Sequence, residues 1–217
     1  MASKFSGLIT AVIATFILAF QEYAIDEKNK NENADFTCIY NHFLVVLSFL
    51  TAGLILAQQV YFYFFIDKQY IESILYIPII MLGVYFSCIN SFYGAAYFAY
   101  SKTKWSFITT LIGAAVNVGL CVALVEPFGL WGVATASVLA YFAMCISRYL
   151  STRKYFVARF QPSKVLISLT ITGTSILIYY LNSYSASIVA FSAVAVVFLL
   201  YYGRMGLKYL KSRGGYA

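Results

Sequence analysis

Residues 102–154 constrain this chain more than any other stretch. Lys102-Thr103-Lys104 precedes an apolar run at 105–125, then comes Glu126-Pro127-Phe128-Gly129, then a second apolar run at 130–147. The stretch closes on Arg148, Arg153 and Lys154. A helix needs about 20 mostly apolar residues to cross a bilayer's hydrocarbon. Two such runs joined by so short a connection predict an antiparallel helical hairpin, with both basic ends on one side.

The same pattern fills the rest of the chain. Apolar segments at 5–23, 36–65, 73–100, 105–125, 130–147, 165–181 and 185–203 predict about seven transmembrane helices, and Glu22 is the one charge inside them. The second and third are long enough to tilt or project into water. The fold class is therefore all-α, a polytopic membrane helix bundle over 1–203, followed by a basic tail at 204–217. Composition agrees: the chain is 62% apolar and 11% charged, whereas a soluble domain is nearer half apolar and a quarter charged.

Charge sets the orientation. On the N-terminal side of the alternating spans lie Lys4 and Lys68. On the other side lie Lys28, Lys30, Lys102, Lys104, Arg148, Arg153, Lys154, Arg159, Lys164, Arg204, Lys208, Lys211 and Arg213. The positive-inside rule places the second group in the cytoplasm. The C-terminus is then cytoplasmic and the N-terminus of the chain faces out. A net charge of +7 spread between apolar spans is a topology signal, not a nucleic-acid footprint. The cysteines Cys38, Cys88, Cys121 and Cys145 have no paired spacing and read as small buried thiols.

Small and polar residues mark the faces that meet other helices. Gly83, Ser87, Asn90, Gly94, Tyr97 and Ser101 recur every three or four residues on the third span, so they share one face. Ser106, Thr110, Gly113, Asn117 and Cys121 do the same on the fourth. Gly129, Gly132, Ala136, Ala140, Ala143 and Ser147 form a nearly bare ridge on the fifth. In lipid, such residues let backbones approach and hydroxyl or amide groups bond across the contact. These three helices are expected to form the core, with the last two peripheral and lipid-facing. Gln58 and Gln59 read as hydrated residues near an outer helix end, His42 as interfacial. Trp105, Tyr100, Tyr155 and Phe156 read as an aromatic belt.

Candidate chemistry is sparse. There is no P-loop, metal cluster or carboxylate pair, and the acidic stretch from Glu22 to Asp35 reads as a solvated loop. The predicted outer loops at 66–72, 126–129 and 182–184 are too short to hold an enzyme site. No enzyme activity, cofactor or metal is expected. Asn90, Asn117, Tyr97 and Ser87 are candidates for the wall of a substrate cavity.

One arrangement of residues has a familiar order. It comprises 16–25 (Phe-Ile-Leu-Ala-Phe-Gln-Glu-Tyr-Ala-Ile), 70–78, Lys102–Lys104, then Gly-Ala-Ala-Val-Asn-Val-Gly-Leu at 113–120. Pro127, Gly129, Gly132 and 134–136 follow, then Arg148 and Arg153-Lys154-Tyr155. Across residues 4–160 the chain resembles the C-terminal half of a bacterial polysaccharide exporter of the O-antigen flippase type. That family belongs to the multidrug, oligosaccharidyl-lipid and polysaccharide superfamily. Phe20 stands where the family often has tryptophan, and Val133 where it often has alanine. The resemblance implies one lobe of a two-lobe transporter of the inner membrane, moving a polyprenyl-diphosphate-linked oligosaccharide such as an O-antigen or capsule repeat unit, and makes Glu22 and Arg148 candidate charges at the cavity edge. It implies as partners the lipid-linked oligosaccharide, membrane lipids, an N-terminal lobe or a second copy, and glycan polymerase or transferases. The alternative is an accessory or structural subunit of a polysaccharide-assembly complex with no transport cycle of its own.

Overall fold

A computed structural model describes the backbone of residues 2–31, 34–65, 75–159, 161–181 and 184–213, with side chains over 6–31, 34–62, 75–159, 161–181 and 187–203. The helices, in chain order, are α1 (Ala2–Lys30), α2 (Thr37–Phe65), α3 (Ile77–Ala99), α4 (Thr103–Thr152), α5 (Pro162–Tyr180) and α6 (Tyr184–Arg213). Among the described residues the only β-pairing is an isolated bridge between Asp35 and Val157. Helices α1 to α5 are long and apolar enough to cross a membrane, while the apolar stretch Ser187–Gly203 of α6 is shorter. The chain is thus an all-α bundle compatible with a multi-pass membrane protein. Helices suit lipid because each satisfies its own backbone groups.

Helix α4 is 50 residues long, but it is not a rod. Arg148 Nε reaches Thr109 Oγ1 at 3.3 Å, whereas a straight helix would hold those residues roughly 58 Å apart. The chain turns back at Gly129, whose φ of 54° and ψ of −129° suit a residue without a Cβ. A Cβ added to Gly132 would sit 2.1 Å from the Leu124 carbonyl oxygen, and one added to Gly113 would meet Met144 at 3.1 Å. An outward arm (103–128) and a return arm (130–152) therefore lie antiparallel, as the opening motif requires. The seven apolar segments correspond to six helices, one of them folded in two.

The core is placed differently from the sequence expectation. Its centre is α2 and α3, where Tyr40, Leu47, Ile55, Leu56, Phe92, Tyr93 and Tyr97 are fully buried. Helix α1 packs on α3, with Phe20 stacked on Phe92 at 4.3 Å. The return arm takes the opposite stripe of α3. That leaves the outward arm little to touch but its own partner arm, and Leu111, Ile112, Val118 and Val122 stand exposed. The predicted central role of the fourth span is corrected accordingly.

The last two helices are also less peripheral than expected, since both pack on α2. Their serines and threonines decide this. Ser168, Thr172, Ser175 and Tyr179 form the buried face of α5. The Ser168 hydroxyl bonds those of Ser48 and Tyr85, each at 2.5 Å, joining α5 to α2 and α3. Gln58 and Gln59 are buried rather than hydrated. Gln59 Oε1 accepts from Ser187 at 2.5 Å and its Nε2 donates to the Tyr179 carbonyl at 3.4 Å, so it clips α2 to both later helices. Leu166, Leu169, Leu177, Val196 and Leu199 on the outer faces remain exposed. Interhelical hydrogen bonds in membrane proteins contribute about 0.6–1.7 kcal/mol each. Ser168→Ala should therefore lower the melting temperature in detergent by roughly 2–4 °C. An unchanged melting temperature would show that the three hydroxyls contribute nothing net.

One end of the bundle gathers the basic residues. Lys28 Nζ donates to the Ala99 carbonyl at 3.3 Å and lies 5.3 Å from the centre of the Tyr100 ring, and Tyr100 meets Tyr155 at 5.3 Å. The segment after α4 is tied to the start of α2. Phe36 N donates to Val157 O at 2.9 Å and Arg159 N to Thr37 Oγ1 at 3.0 Å. Asn41 donates to Arg159 O at 2.9 Å and accepts from Gln161 N at 3.0 Å. Three details here depart from the sequence reading. Helix α1 runs on through Lys30, into the stretch read as a loop. Phe156 is buried 5.0 Å from Phe36, in the core and not in a belt. Cys38 is exposed, because it faces away from the bundle on the first turn of α2.

Asp35 starts that turn. Hydrogen bonds from Thr37, its hydroxyl first and then its N–H at 2.8 Å, hold the Asp35 carboxyl below the usual carboxylate value. A depressed carboxyl stabilises the fold above its ordinary value of 3.8, and that contribution is lost as pH falls through the lower folded value. Acid should therefore loosen the start of α2. The fall in melting temperature between pH 6 and pH 3 should be smaller in Asp35→Asn than in the wild type, and an equal fall would remove Asp35 from the account.

Candidate functional site

The polar stripe of α3 faces the return arm of α4. A Cβ on Gly83 would meet Val138 at 3.6 Å, and one on Gly94 would meet Arg148 Nη1 at 3.1 Å. Asn90 Nδ2 donates to the Tyr141 carbonyl at 2.9 Å, and the Tyr97 hydroxyl bonds that of Ser151. Partners rise in number together along the two helices, so α3 and the return arm run parallel. Tyr76 and Trp131, with ring centres 5.0 Å apart, mark their shared beginning. The ridge residues Gly132, Ala136 and Ala140 are buried, with Gly132 facing Leu124 across the seam between the two arms of α4. Small residues on both sides let the two backbones close, as lipid-embedded helices require.

Arg148 lies within that seam. In a helix each side chain leans toward the N-terminus. The return arm starts at the far end of the bundle, so Arg148 points away from the basic end and into the apolar body. Its residue is 6% exposed. Nη1 donates to the Asn90 carbonyl, Nη2 to Thr110 Oγ1 at 2.9 Å and Nε to Thr109 Oγ1. The guanidinium carbon stands 5.8 Å from the centre of the Tyr97 ring. Asn90 is nine residues before the end of α3, roughly 14 Å along the helix. The sequence reading set Arg148 at the cytoplasmic edge of its span, with no charge deeper. Its α-carbon is near that edge, but its charge is drawn inward.

Every partner of this cation is neutral. Among the described residues the one ion pair is Lys30 with Asp26, so no carboxylate meets Arg148. A guanidinium does not lose its proton in proteins. The site is therefore a fixed positive charge in apolar surroundings, one hydroxyl (that of exposed Thr110) below the surface of the outward arm. Asn90 adds a second unusual feature: its Oδ1 is buried with no hydrogen-bond partner among the described residues. The guanidinium can attract an anion that reaches the Thr110 face, whereas the Asn90 Oδ1, an acceptor, can take only a donor such as a hydroxyl.

The structure brings Asn90, Tyr97 and Arg148 together and leaves the other candidates apart. Ser87 is half-buried one turn from Asn90 on the same stripe. Asn117 is half-buried on the outward arm, where its Oδ1 accepts from Cys121 Sγ at 3.2 Å within the same helix. Glu22 is exposed on α1. Sequence reasoning put Thr110 on the stripe of the fourth span but passed over Thr109 and Ser151 as site residues. A signal for Thr109 was present: it and Arg148 stand equally far from the Phe128–Gly129 bond, so a hairpin must bring them level. No protein-family profile, curated protein or solved structure matches the chain.

Proposed function

We propose that this chain is one lobe of a flippase that moves a polyprenyl-diphosphate-linked oligosaccharide, an O-antigen or capsule repeat unit, across the bacterial inner membrane. The observation that supports it most is Arg148. Ionisable groups inside membrane-spanning segments are costly to bury and usually mark a substrate path. A diphosphate is an anion that must pass the apolar layer in this reaction. On this reading Arg148 supplies the attraction, Thr110 is the point of access, and Asn90, Tyr97 and Thr109 hold the guanidinium. Ser87 and Asn117 belong to the cavity wall, and Glu22 to its edge.

The glycan and diphosphate must be shielded while the polyprenyl tail stays in lipid. Rocking of two helical lobes about a central site does this. An N-terminal lobe or a second copy supplies the other lobe. The basic end that holds Lys28, Lys102, Arg153 and Arg159 faces the cytoplasm by the positive-inside rule.

A second reading, an accessory subunit without a transport cycle, draws on the same residue. All three guanidinium nitrogens are already bonded, Nη1 to α3 and the other two to the outward arm, which suits a clamp. Deleting the gene in its host separates the two. A flippase predicts loss of surface polysaccharide, with lipid-linked repeat units accumulating on the cytoplasmic leaflet. Surface loss without that accumulation supports the accessory role, and unaltered surface polysaccharide overturns both.

A further inference from the structure

A small cavity opens at the basic end, some distance from the Arg148 cluster in function if not in chain. It holds about 200 Å³ and is lined by Tyr93, Tyr149, Thr152, Arg153, Phe156 and Arg159, among others. Its floor is aromatic: Tyr93 lies 6.4 Å from Tyr149 and 6.5 Å from Phe156, both edge to face. Its rim is built by residues 156–159, which the Asn41, Thr37 and Phe36 bonds hold against the start of α2. The larger grooves of this bundle, such as that of about 470 Å³ between α3 and the return arm, carry no charged side chain.

We infer that this cavity is a binding site for a phosphate group, of the kind carried by an anionic lipid headgroup or present as free phosphate. Arg153 and Arg159 both line it, and both are exposed. Among the described residues Arg153 and Arg159 make hydrogen bonds only through their backbones. Helix C-terminal cations often cap the last carbonyls, but here those carbonyls are already taken. Tyr149 O accepts from Arg153 N, Thr152 O from Tyr155 N and Phe156 N, and Arg148 O from Thr152 Oγ1. Asp35 acts on Arg159 from nearby, yet its carboxylate is held by Thr37 and leaves Arg153 unopposed. Basic residues at a cytoplasmic membrane surface need no ligand to be explained. That two arginines line one walled concavity does need an explanation, and planar forks of donors match phosphate oxygens well. Basic pockets at this depth recognise phospholipid headgroups.

The test is the melting temperature of the purified full chain in a neutral detergent, titrated with short-chain phosphatidylglycerol, with inorganic phosphate, and with short-chain phosphatidylcholine. The wild type should be protected by phosphatidylglycerol in a saturable way. The double variant Arg153→Gln with Arg159→Gln should need at least tenfold more lipid. A second pair, Lys102→Gln with Lys104→Gln, removes the same charge from the same end outside the cavity and should leave the midpoint unchanged. Protection by inorganic phosphate at similar concentration assigns the site to free phosphate; protection by the lipid alone assigns it to a headgroup. Equal midpoints for the wild type and the arginine variant overturn the site, as does equal weakening by both pairs. Should the glutamine pair fail to fold, Arg153→Lys with Arg159→Lys keeps the charge but loses the forked donors. An unchanged midpoint in that variant also overturns it.

Discussion

Replacing Arg148 by methionine should abolish surface polysaccharide while leaving the protein as abundant and at least as stable as before. The two halves of this expectation have different physical sources. A buried charge is a poor source of stability, because desolvation offsets what its partners return. Exchanging buried ionic groups for apolar ones of similar size is often neutral or stabilising by 1–4 kcal/mol. That result requires that no charge be orphaned. Here none is, since the partners are the Asn90 carbonyl, Thr109 and Thr110. Both threonines also bond back to their own helix, at Trp105 O and Ser106 O, and a helical carbonyl keeps its backbone partner. Methionine is flexible enough to fill the seam. The stability of the fold should therefore survive, measured as an unchanged or raised melting temperature in detergent.

Activity should not survive if the charge itself is used. A transport defect of at least tenfold, with normal abundance, is the expected outcome in a complemented deletion strain. Arg148→Lys should recover part of the function, as a point charge without the forked donors. Should methionine destabilise the protein strongly, Arg148 is a structural clamp and the accessory reading gains. Should methionine keep both stability and export, the charge has no role in either.

The class of this fold was legible because lipid imposes a coarse rule. Length and apolarity alone mark the helices, and the Pro127–Gly129 turn marks the hairpin. The face of α3 was legible for a similar reason: Gly83, Asn90, Gly94 and Tyr97 share a stripe, and that stripe does meet another helix. What it meets was not legible. In lipid, apolar residues are acceptable both inside and outside, so hydrophobicity does not separate core from surface. The outward arm, rich in Gly and Ala, looked central and is exposed. Helix α5 looked peripheral, yet it buries Ser168, Thr172, Ser175 and Tyr179. Its hydroxyls carried the information, but a serine that bonds its own backbone reads the same as one that bonds a neighbour. Gln59 was misread for a like reason, since its partners Tyr179 and Ser187 lie more than a hundred residues away. Arg148 shows the limit most clearly. Its position in sequence is interfacial, and only the direction of its helix sends its charge inward.

Substituting alanine along the glycines of the hairpin should give a steep order of damage, with Gly132→Ala the worst. A Cβ there would lie 2.1 Å from the Leu124 oxygen and 2.6 Å from its carbon. These are backbone atoms, so no side-chain rotation relieves the clash and the arms must part. Forced overpacking costs about 1–3 kcal/mol and at times more, which lowers the melting temperature by several degrees or more. Gly129→Ala meets nothing within 4 Å and suffers only from its positive φ, a strain of about 1–3 kcal/mol. Gly113→Ala presses on Met144, at 3.1 Å from its sulfur, and that side chain can move. Gly119→Ala meets open space in a helical stretch and should be neutral or slightly stabilising. The order matters for function as well as for stability. Parting the arms at Gly132 moves Thr109 and Thr110 away from Arg148, and the guanidinium loses two of its three hydrogen-bonded partners while staying buried. Gly132→Ala should therefore damage the site through an uncompensated charge, a loss that Arg148→Met in the same chain should partly repair. Additive damage in the double variant would instead separate the hairpin contact from the charge.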